Sequence, residues 1–273
     1  MENEVEIIIS DNASTDNTYE IVKNANKCKN FSYYKNEHNL GMDGNFYACY
    51  RYAKGRFLWV FSDDDLLRPN SLSLVLDLLK SNLKCGVCYM DSDWFEKFDV
   101  SQIYSVSNLD YEVYGSSLAF LKKINYWTTF LTGNIVNKEL IDGKVHPEEN
   151  MGTMLVQLSW VIPAIFSSSI NIFVKTKIIL CKSDNTGGYK IFEVFGKNLN
   201  KVLDSLIKRG CDKKIKSIIN NHLLTGFFPG FLNKENASFL KEDYMLSLLP
   251  VFWKYKKFWT IIFPIFLKQK LRA

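Results

Sequence analysis

Short apolar runs alternate with helix-forming segments along residues 5–90, and this alternation constrains the fold more than any other feature. Runs such as Val5–Ile9 and Phe57–Phe61 have the length of buried strands, and the segments between the runs carry helix start and stop signals. Strands joined by covering helices form a largely parallel sheet with helices on both faces. The sequence therefore predicts an α/β fold, in which ligands bind at the carboxyl ends of the strands.

Three consecutive aspartates, Asp63, Asp64 and Asp65, follow the apolar run that ends at Phe61. Adjacent carboxylates repel one another unless a positive charge lies beside them. Mg²⁺ and Mn²⁺ prefer carboxylate and phosphate oxygens, and Mg²⁺ commonly shares itself between one or two carboxylates and a substrate phosphate. The triplet therefore indicates a Mg²⁺ or Mn²⁺ site for a nucleotide-diphosphate substrate. The alternative is a solvated loop ahead of a helix that begins near Ser71.

Composition narrows the class of protein further. The chain has 273 residues, of which 47% are hydrophobic and 15% aromatic, and this is enough for a packed core. The net charge of +5 comes from lysines spread along the chain, and the sequence contains no nucleic-acid motif. The acidic start Met1–Glu6 does not resemble a signal peptide, which predicts a cytoplasmic protein with reduced cysteines. Cys85 and Cys88 lack a second pair at zinc spacing, so we expect buried thiols.

Three motifs occur in the order and spacing of a known family. Together they resemble the family-two glycosyltransferases, which have the GT-A fold. The likeness covers residues 5–80. The motifs are the strand and turn Glu6–Thr18, the pattern Asn39-x-Gly41 with Asn45 and Ala53–Phe57, and the metal-type motif Ser62–Asp65 with Pro69.

The resemblance implies an inverting, metal-dependent transferase that uses a nucleotide-sugar donor, with a UDP-sugar as the expected donor. It places a divalent cation at the Asp63, Asp64 and Asp65 cluster, where the cation would neutralise the diphosphate leaving group. It also implies contact between Asp11 and the nucleotide. Asp11 has an alternative role, since Asp commonly caps its own turn. The donor-binding residues implied by the resemblance are Asp11, Asn39, Asn45 and Asp63.

An inverting transfer also needs a base that takes the proton of the acceptor hydroxyl. The sequence does not identify this residue, because the acidic pair that often precedes the acceptor helix in the family is not visible after Thr132–Asn134. Four acids are candidates by position only, and the simpler interpretation of each is a solvated loop acid. They are Asp91, Asp93, Glu148 and Glu149.

The resemblance also exposes an absence at the amino terminus. Members of the family begin with a strand and a helix before the equivalent of Val5–Ile9, and this chain has neither. Either the protein starts upstream of Met1, or the gene is interrupted and its product lacks a central strand and part of its donor pocket. Loss of a buried strand uncovers backbone groups and apolar surface, so the chain would be unstable or inactive.

The carboxyl-terminal segment, residues 251–273, mixes aromatic and aliphatic residues with six basic ones. Its lysines and Pro264 make it a poor membrane span. It better fits a segment that lies in the interface of an anionic bilayer, with tryptophans at headgroup depth. The alternative is an amphipathic helix docked on its own domain. The basic residues are Lys254, Lys256, Lys257, Lys268, Lys270 and Arg272.

These features divide the chain into an incomplete GT-A domain, residues 1–190, and a helical region, residues 191–273. The expected activity is transfer of a sugar to a lipid-linked surface-polysaccharide intermediate, at the inner face of the plasma membrane. The alternatives are a soluble or protein acceptor, or a non-catalytic remnant. A phosphoacceptor-type signalling domain also clusters acids at strand ends, but the Asn39, Gly41 and Asn45 pattern argues against it.

Overall fold

The structure is a computed structural model that describes residues 4–25, 30–97, 99–183, 190–232 and 244–272. It has a mixed α/β fold, in which a central sheet is flanked by helices and is followed by further helices at the carboxyl-terminal end. The predicted α/β class with a helical extension is confirmed.

The strands of the described residues form two sheets. A two-stranded sheet contains β1 and β2, and a six-stranded sheet has the order β3-β7-β5-β8-β4, with β6 also paired to β8. The strands are β1 (Ile7–Asp11), β2 (Phe31–Lys35), β3 (Phe57–Trp59), β4 (Leu66–Leu67), β5 (Cys85–Phe95), β6 (Tyr111–Tyr114), β7 (Asn134–Asn137) and β8 (Ile170–Lys182).

The direction of the strands corrects the expected mostly parallel pairing. The β1–β2 and β5–β8 pairs are parallel, whereas β3–β7, β5–β7, β4–β8 and β6–β8 are antiparallel. Alternation of strands and helices predicts parallel pairing only for strands that are joined by a helix lying on the sheet. Strand β7 comes from beyond the alternating segment and enters the sheet antiparallel, between β3 and β5. A distant strand of this kind leaves no signal in the local pattern of residues 5–90.

The helices cover both faces of the large sheet and continue past its last strand. Short 3₁₀ turns lie at Val100–Gln102, Asn125–Thr129, Lys138–Leu140 and Pro147–Asn150, and π turns at Glu193–Asn198, Leu223–Phe227 and Phe258–Ile262. The α-helices are α1 (Thr18–Ala25), α2 (Gly41–Tyr52), α3 (Ser71–Ser81), α4 (Ser117–Ile124), α5 (Leu158–Phe166), α6 (Leu199–Lys208), α7 (Lys214–His222), α8 (Phe228–Leu232), α9 (Tyr244–Phe252) and α10 (Phe263–Arg272).

Buried side chains on the two faces of the sheet form two hydrophobic clusters. Successive strand residues point to opposite faces, so Val87 joins the larger cluster and Cys88 joins the smaller one beneath α3. Cys85 and Cys88 are both buried free thiols, as expected. Each large apolar side chain that is fully buried contributes roughly 1.5–3 kcal/mol. The sheet is therefore held from both sides by apolar burial.

The carboxyl-terminal helices belong to the larger cluster. Phe252, Phe258 and Ile262 are fully buried in it, whereas Trp253 and Trp259 of the same segment stay exposed. One face of the tail is therefore docked on the protein itself, as one of the two sequence alternatives expected. Among the described residues, no helix is long and apolar enough to cross a bilayer.

Strand β1 lies close to β3 at its start but does not pair with it. The side chain of Glu6, just before β1, accepts hydrogen bonds from the backbone nitrogens of Lys54 and Gly55 at 2.6 and 2.7 Å, just before β3. Within the described strands, β1 pairs only with β2, and β3 pairs only with β7. Each of these two strands therefore has one open edge.

Candidate functional site

Asp11 ends strand β1 and is almost fully buried. Its carboxylate accepts hydrogen bonds from the Ser14 backbone nitrogen, at 2.7 Å, and from the Tyr33 hydroxyl. Burial favours the protonated acid, but these hydrogen bonds outweigh it and lower the pKa of Asp11. The same contact raises the pKa of Tyr33 to about 12. Asp11 is thus an ionised carboxylate held at a strand end, and its contact with a nucleotide stays a prediction.

A network of amide side chains joins the end of β1 to the start of α2. Asn45 accepts from the Ser10 hydroxyl at 2.7 Å and donates to the Ser10 carbonyl at 3.1 Å. Asn39 accepts from the Asn12 side chain and from the Gly41 backbone nitrogen, both at 2.8 Å. Gly41 has a φ of +70°, which explains why glycine stands there. The amides of Asn39 and Asn45 therefore fix the strand-end loops, and donor binding by them remains untested.

The three aspartates lie in the turn between β3 and β4, which we call the acid turn (residues 62–65). Asp63 is exposed, and Asp64 and Asp65 are half-buried. The Ser62 hydroxyl donates to Asp64. Burial raises the pKa of Asp65, a hydrogen bond with Thr132 opposes the rise, and the charges of Asp64 and Asp63 add to it. A positive charge at this turn would offset the cost of burying the ionised Asp65 carboxylate and its repulsion from the neighbouring aspartates.

The acid turn suits a metal ion that is shared with a ligand. In the described residues, no group of three or more His, Cys, Asp or Glu side chains is arranged to hold a metal ion. Mg²⁺ is usually bound by one or two carboxylates together with substrate phosphates, and rarely by an all-protein cage. Asp64 and Asp65, half-buried with acidic neighbours, offer that donor set. The cation itself remains a prediction.

Two of the four candidate bases form ion pairs with basic side chains. Asp93 lies 2.9 Å from Nη2 of Arg68 and 3.0 Å from Nζ of Lys177, and these cations hold its pKa below the usual range although burial opposes the shift. Glu149 lies 2.9 Å from Nε of Arg209, and the guanidinium lowers its pKa. A carboxylate with a lowered pKa is a weaker base, and these lone pairs are already engaged.

The other two candidates differ in their surroundings. Glu148 is exposed in the turn Pro147–Asn150, and its carboxylate lies 3.1 Å from Nδ1 of His146. Asp91 is half-buried in strand β5 and lines a cleft of about 200 Å³. Within the described part of the chain, no basic side chain lies within 4.0 Å of the Asp91 carboxylate. Asp91 therefore combines a place in a cleft with a carboxylate that no basic side chain of the described residues engages.

Strand pairing places this cleft beside the acid turn. Leu66, the residue after the acid turn, pairs with Leu180 of β8, and Leu180 pairs on its other side with Asp93 of β5. Neighbouring strands are about 4.8 Å apart, so the acid turn and this part of β5 are separated by roughly 10 Å. Two acidic groups with different surroundings therefore lie within the reach of one substrate.

Several residues that position this site were missed by sequence reasoning. Arg68 is only 3% exposed, donates to the Gln102 carbonyl at 3.2 Å and lies 4.1 Å from the Tyr104 ring centroid, in addition to pairing with Asp93. Asp43 is buried and accepts from the backbone nitrogens of Met154, at 2.8 Å, and Val156, at 3.1 Å. The partners lie up to 113 residues away, so no local pattern could have indicated them.

Solved structures share this fold. Staphylococcus aureus TarS, residues 1–349, superposes with a TM-score of 0.57 and 18% identity over 86% of this chain and 67% of that protein. The same protein in complex with UDP gives a TM-score of 0.58. At this level of identity the likeness defines the fold, which is GT-A.

The family follows from the sequence match. The model of glycosyl transferase family 2 matches residues 1–141, and the chain belongs to this family. The resemblance found in the motifs is thereby confirmed.

Two relatives show how far the likeness extends. Abequosyltransferase RfbV of Salmonella typhimurium is 28% identical over 218 residues, which span 74% of this chain and 63% of that protein. An uncharacterized glycosyltransferase of Mycoplasma pneumoniae, the MG060 homolog, is 32% identical over 80 residues, 28% of this chain and 27% of that protein. The chain thus spans less than two thirds of either relative.

Proposed function

We propose that this chain transfers a sugar, with inversion, from a nucleotide-diphosphate donor to a hydroxyl group of a glycan acceptor. The acid turn within a family 2 sequence carries the proposal. The acceptor oxygen attacks the anomeric carbon, the bond from that carbon to the diphosphate breaks, and the nucleotide diphosphate leaves. A Mg²⁺ or Mn²⁺ ion, when bound, supplies positive charge for the leaving group.

The residues of this chain divide the work between them. Asp64 and Asp65 would hold the cation, with Asp63 beside them, and Asp11 would contact the nucleotide from the end of β1. Asp91 takes the proton of the acceptor hydroxyl, because its carboxylate faces a cleft about 10 Å from the acid turn. An inverting displacement passes through no covalent intermediate on the protein, so no nucleophilic side chain is required.

UDP is the expected nucleotide. TarS, which shares the fold, has been solved with UDP and with UDP-GlcNAc, and this supports UDP as the first probe. The name of RfbV, an abequosyltransferase, supports a glycan acceptor in surface-polysaccharide assembly. We propose a lipid-linked intermediate of such a polysaccharide as the acceptor.

The open edges of β1 and β3 support a further part of the proposal, namely that an additional βα unit lies between these strands and completes the donor pocket. Glu6 brings the starts of the two strands together without pairing them. The helix beside β1, α1, buries none of its residues, and Ile7 of β1 is 39% exposed. Unpaired strand edges and exposed apolar residues are the features that an added strand and helix would cover.

We expect a chain extended by about 35 residues encoded upstream, the length of a βα unit, to bind UDP at least about tenfold more tightly than residues 1–273. Its melting temperature should rise as well, because the added strand buries apolar surface. Titration calorimetry and thermal unfolding of both forms provide the measurement.

In the extended chain, Asp11→Asn should weaken UDP binding, whereas Asp16→Asn, on an exposed acid of the same turn region, should not. Equal dissociation constants for the two chain lengths would contradict the missing unit. Failure of both forms to bind UDP would contradict the proposed activity and favour a non-catalytic remnant.

The exposed face of the tail supports peripheral membrane binding. Trp253 and Trp259 are exposed beside Lys254, Lys256 and Lys257, while the opposite face of the tail is part of the core. Each lysine near an anionic bilayer contributes about 1 kcal/mol, and the tryptophans add an apolar contribution.

We expect Lys254→Gln, Lys256→Gln and Lys257→Gln together to weaken binding to anionic vesicles about a hundredfold, as measured by sedimentation. Substitution is preferable to deletion of the tail, because deletion would remove Phe252, Phe258 and Ile262 from the core. The matched control carries Lys197→Gln, Lys201→Gln and Lys208→Gln, the same charge change on α6 and the turn just before it. If the two triple variants bind anionic vesicles equally, or if the unsubstituted protein binds neutral and anionic vesicles equally, the tail serves only to pack on the protein.

A further inference from the structure

A small cleft with two tryptophans lies beside the acid turn. Trp94 at the end of β5 is 47% exposed, and Trp127 in the turn after α4 is 37% exposed. Their ring centroids are 5.9 Å apart, and the planes of the rings are inclined by 40°. We call this the tryptophan cleft. It is lined by Tyr89, Asp91, Ser92, Trp94, Lys123, Ile124, Asn125, Trp127 and Phe173.

The two tryptophans are held in place although they face solvent. Phe130 packs against both rings, with centroids 5.5 Å from Trp94 and 6.2 Å from Trp127. Trp94 lies on β5 and pairs there with Cys181 of β8, and the Phe130 backbone nitrogen donates to the Trp127 carbonyl at 2.9 Å. Exposed aromatic rings on rigid elements are costly in water and are typical of binding surfaces.

The chemistry of the lining is mixed. Asp91 contributes a carboxylate, and the ammonium group of Lys123 lies 4.4 Å from the Phe173 ring centroid and 3.8 Å from the Glu112 carboxylate. A sugar ring presents an apolar C–H face and a rim of hydroxyl groups, so it can stack on an indole while its hydroxyls bond to such polar groups. The volume of about 200 Å³ is below the range of drug-sized ligand sites, roughly 300–1,000 Å³, and suits a single sugar ring.

The position of the cleft relative to the acid turn is set by β8. Trp94 pairs with Cys181 of β8, and the Cys181 thiol contacts Asp65 from the other side. Asp65 and Trp94 therefore lie on opposite sides of Cys181, and two strand spacings, about 10 Å, separate them. A sugar stacked in the cleft would hold a hydroxyl near Asp91 and within reach of a donor at the acid turn.

We infer that the tryptophan cleft is the acceptor subsite, in which Trp94 and Trp127 bind the terminal sugar of the acceptor and present one of its hydroxyls to Asp91. The inference rests on the proposed function for the reaction, but binding of a saccharide in the cleft can be measured without donor or cation. Trp94 and Trp127 are then specificity-determining residues, since the stacked face of the sugar decides which hydroxyl points to Asp91.

The test uses the full chain and a panel of methyl glycosides, measured by saturation-transfer NMR with and without UDP. The panel contains methyl glycosides of galactose, mannose, rhamnose and N-acetylglucosamine. At least one glycoside should bind, and Trp94→Ala or Trp127→Ala should weaken its binding about tenfold. Trp94→Phe should keep most of the binding, because the aromatic face remains. Trp253→Ala, which removes an exposed tryptophan of the tail, should have no effect.

The melting temperature of each variant should fall only modestly, since Trp94 and Trp127 keep 47% and 37% of their surface in solvent. Binding of no glycoside by the wild type, or wild-type binding by the double variant Trp94→Ala/Trp127→Ala, would overturn the inference. Absence of UDP binding by the chain extended upstream, with glycoside binding intact, would overturn the proposed donor chemistry and leave the saccharide subsite standing. The two failures are therefore distinguishable.

Discussion

Alanine at both Asp64 and Asp65 is expected to abolish sugar transfer while leaving the fold intact. Without these carboxylates the acid turn keeps only the exposed Asp63, which would not hold the cation that neutralises the departing diphosphate. Loss of a metal ligand removes several kcal/mol of transition-state stabilisation, which corresponds to a rate loss of about a thousandfold or more. Release of nucleotide diphosphate from UDP-sugars by the extended chain measures this loss.

The stability of the double variant distinguishes a loss of activity from misfolding. The pKa of Asp65 is raised in the folded state, so its ionised form destabilises the fold above the unfolded pKa, near pH 4, and this effect fades as the pH falls. Removal of Asp65 should therefore stabilise slightly at neutral pH, and this offsets the lost Ser62–Asp64 hydrogen bond. Asp77→Ala, on an exposed acid of α3, is the control. Full activity of the double variant, or activity unchanged by EDTA, would contradict the metal assignment.

Substitution of Asp91 by Asn should lower kcat about 10²- to 10⁴-fold without changing the dissociation constant of UDP. An amide has nearly the size of a carboxylate but cannot accept the proton of the acceptor hydroxyl. Because Asp91 lies in a cleft and its contact within the chain is a hydrogen bond from the Ser92 backbone nitrogen, at 2.9 Å, little stability should be lost. Steady-state kinetics with a glycan acceptor and calorimetry with UDP provide the measurements.

Asp93, two residues along the same strand, gives a matched control with the opposite phenotype. Asp93→Asn weakens the pairs with buried Arg68 and with Lys177, which should cost about 1–2 kcal/mol of stability and little kcat. The pKa of Asp93 is lowered in the folded state, so its contribution is complete above the unfolded pKa, near 4, and is lost on acidification through the folded pKa. The stability difference should therefore shrink at low pH. A wild-type kcat for Asp91→Asn would assign the proton transfer elsewhere.

Patterns of adjacent residues were sufficient for much of the fold and for the family. The alternation of strands and helices requires only neighbours along the chain, and it predicted the covered sheet. The acid turn and the turn at Asp11 follow from their places at strand ends. The family resemblance rested on the same short segments and was confirmed by the match over residues 1–141.

The tail shows where a pattern alone left two outcomes open. Its mixture of aromatics and lysines fits both a bilayer interface and a docked helix, because both environments accept an amphipathic segment. The tertiary structure buries Phe252, Phe258 and Ile262 in the core and leaves Trp253 and Trp259 exposed. One face of the tail is therefore packed on the protein, and membrane binding by the other face stays a prediction.

The sequence by itself determined the class of fold and the family, because each depends on local periodicity or on short motifs. Only the tertiary structure decided which of the four candidate bases are engaged by cations, since Arg68 and Arg209 reach Asp93 and Glu149 from 25 and 60 residues away. It also decided that β7 enters the sheet antiparallel and that Trp94 and Trp127 meet beside Asp91. Contacts between distant residues depend on how the whole chain packs, and no local pattern encodes that packing.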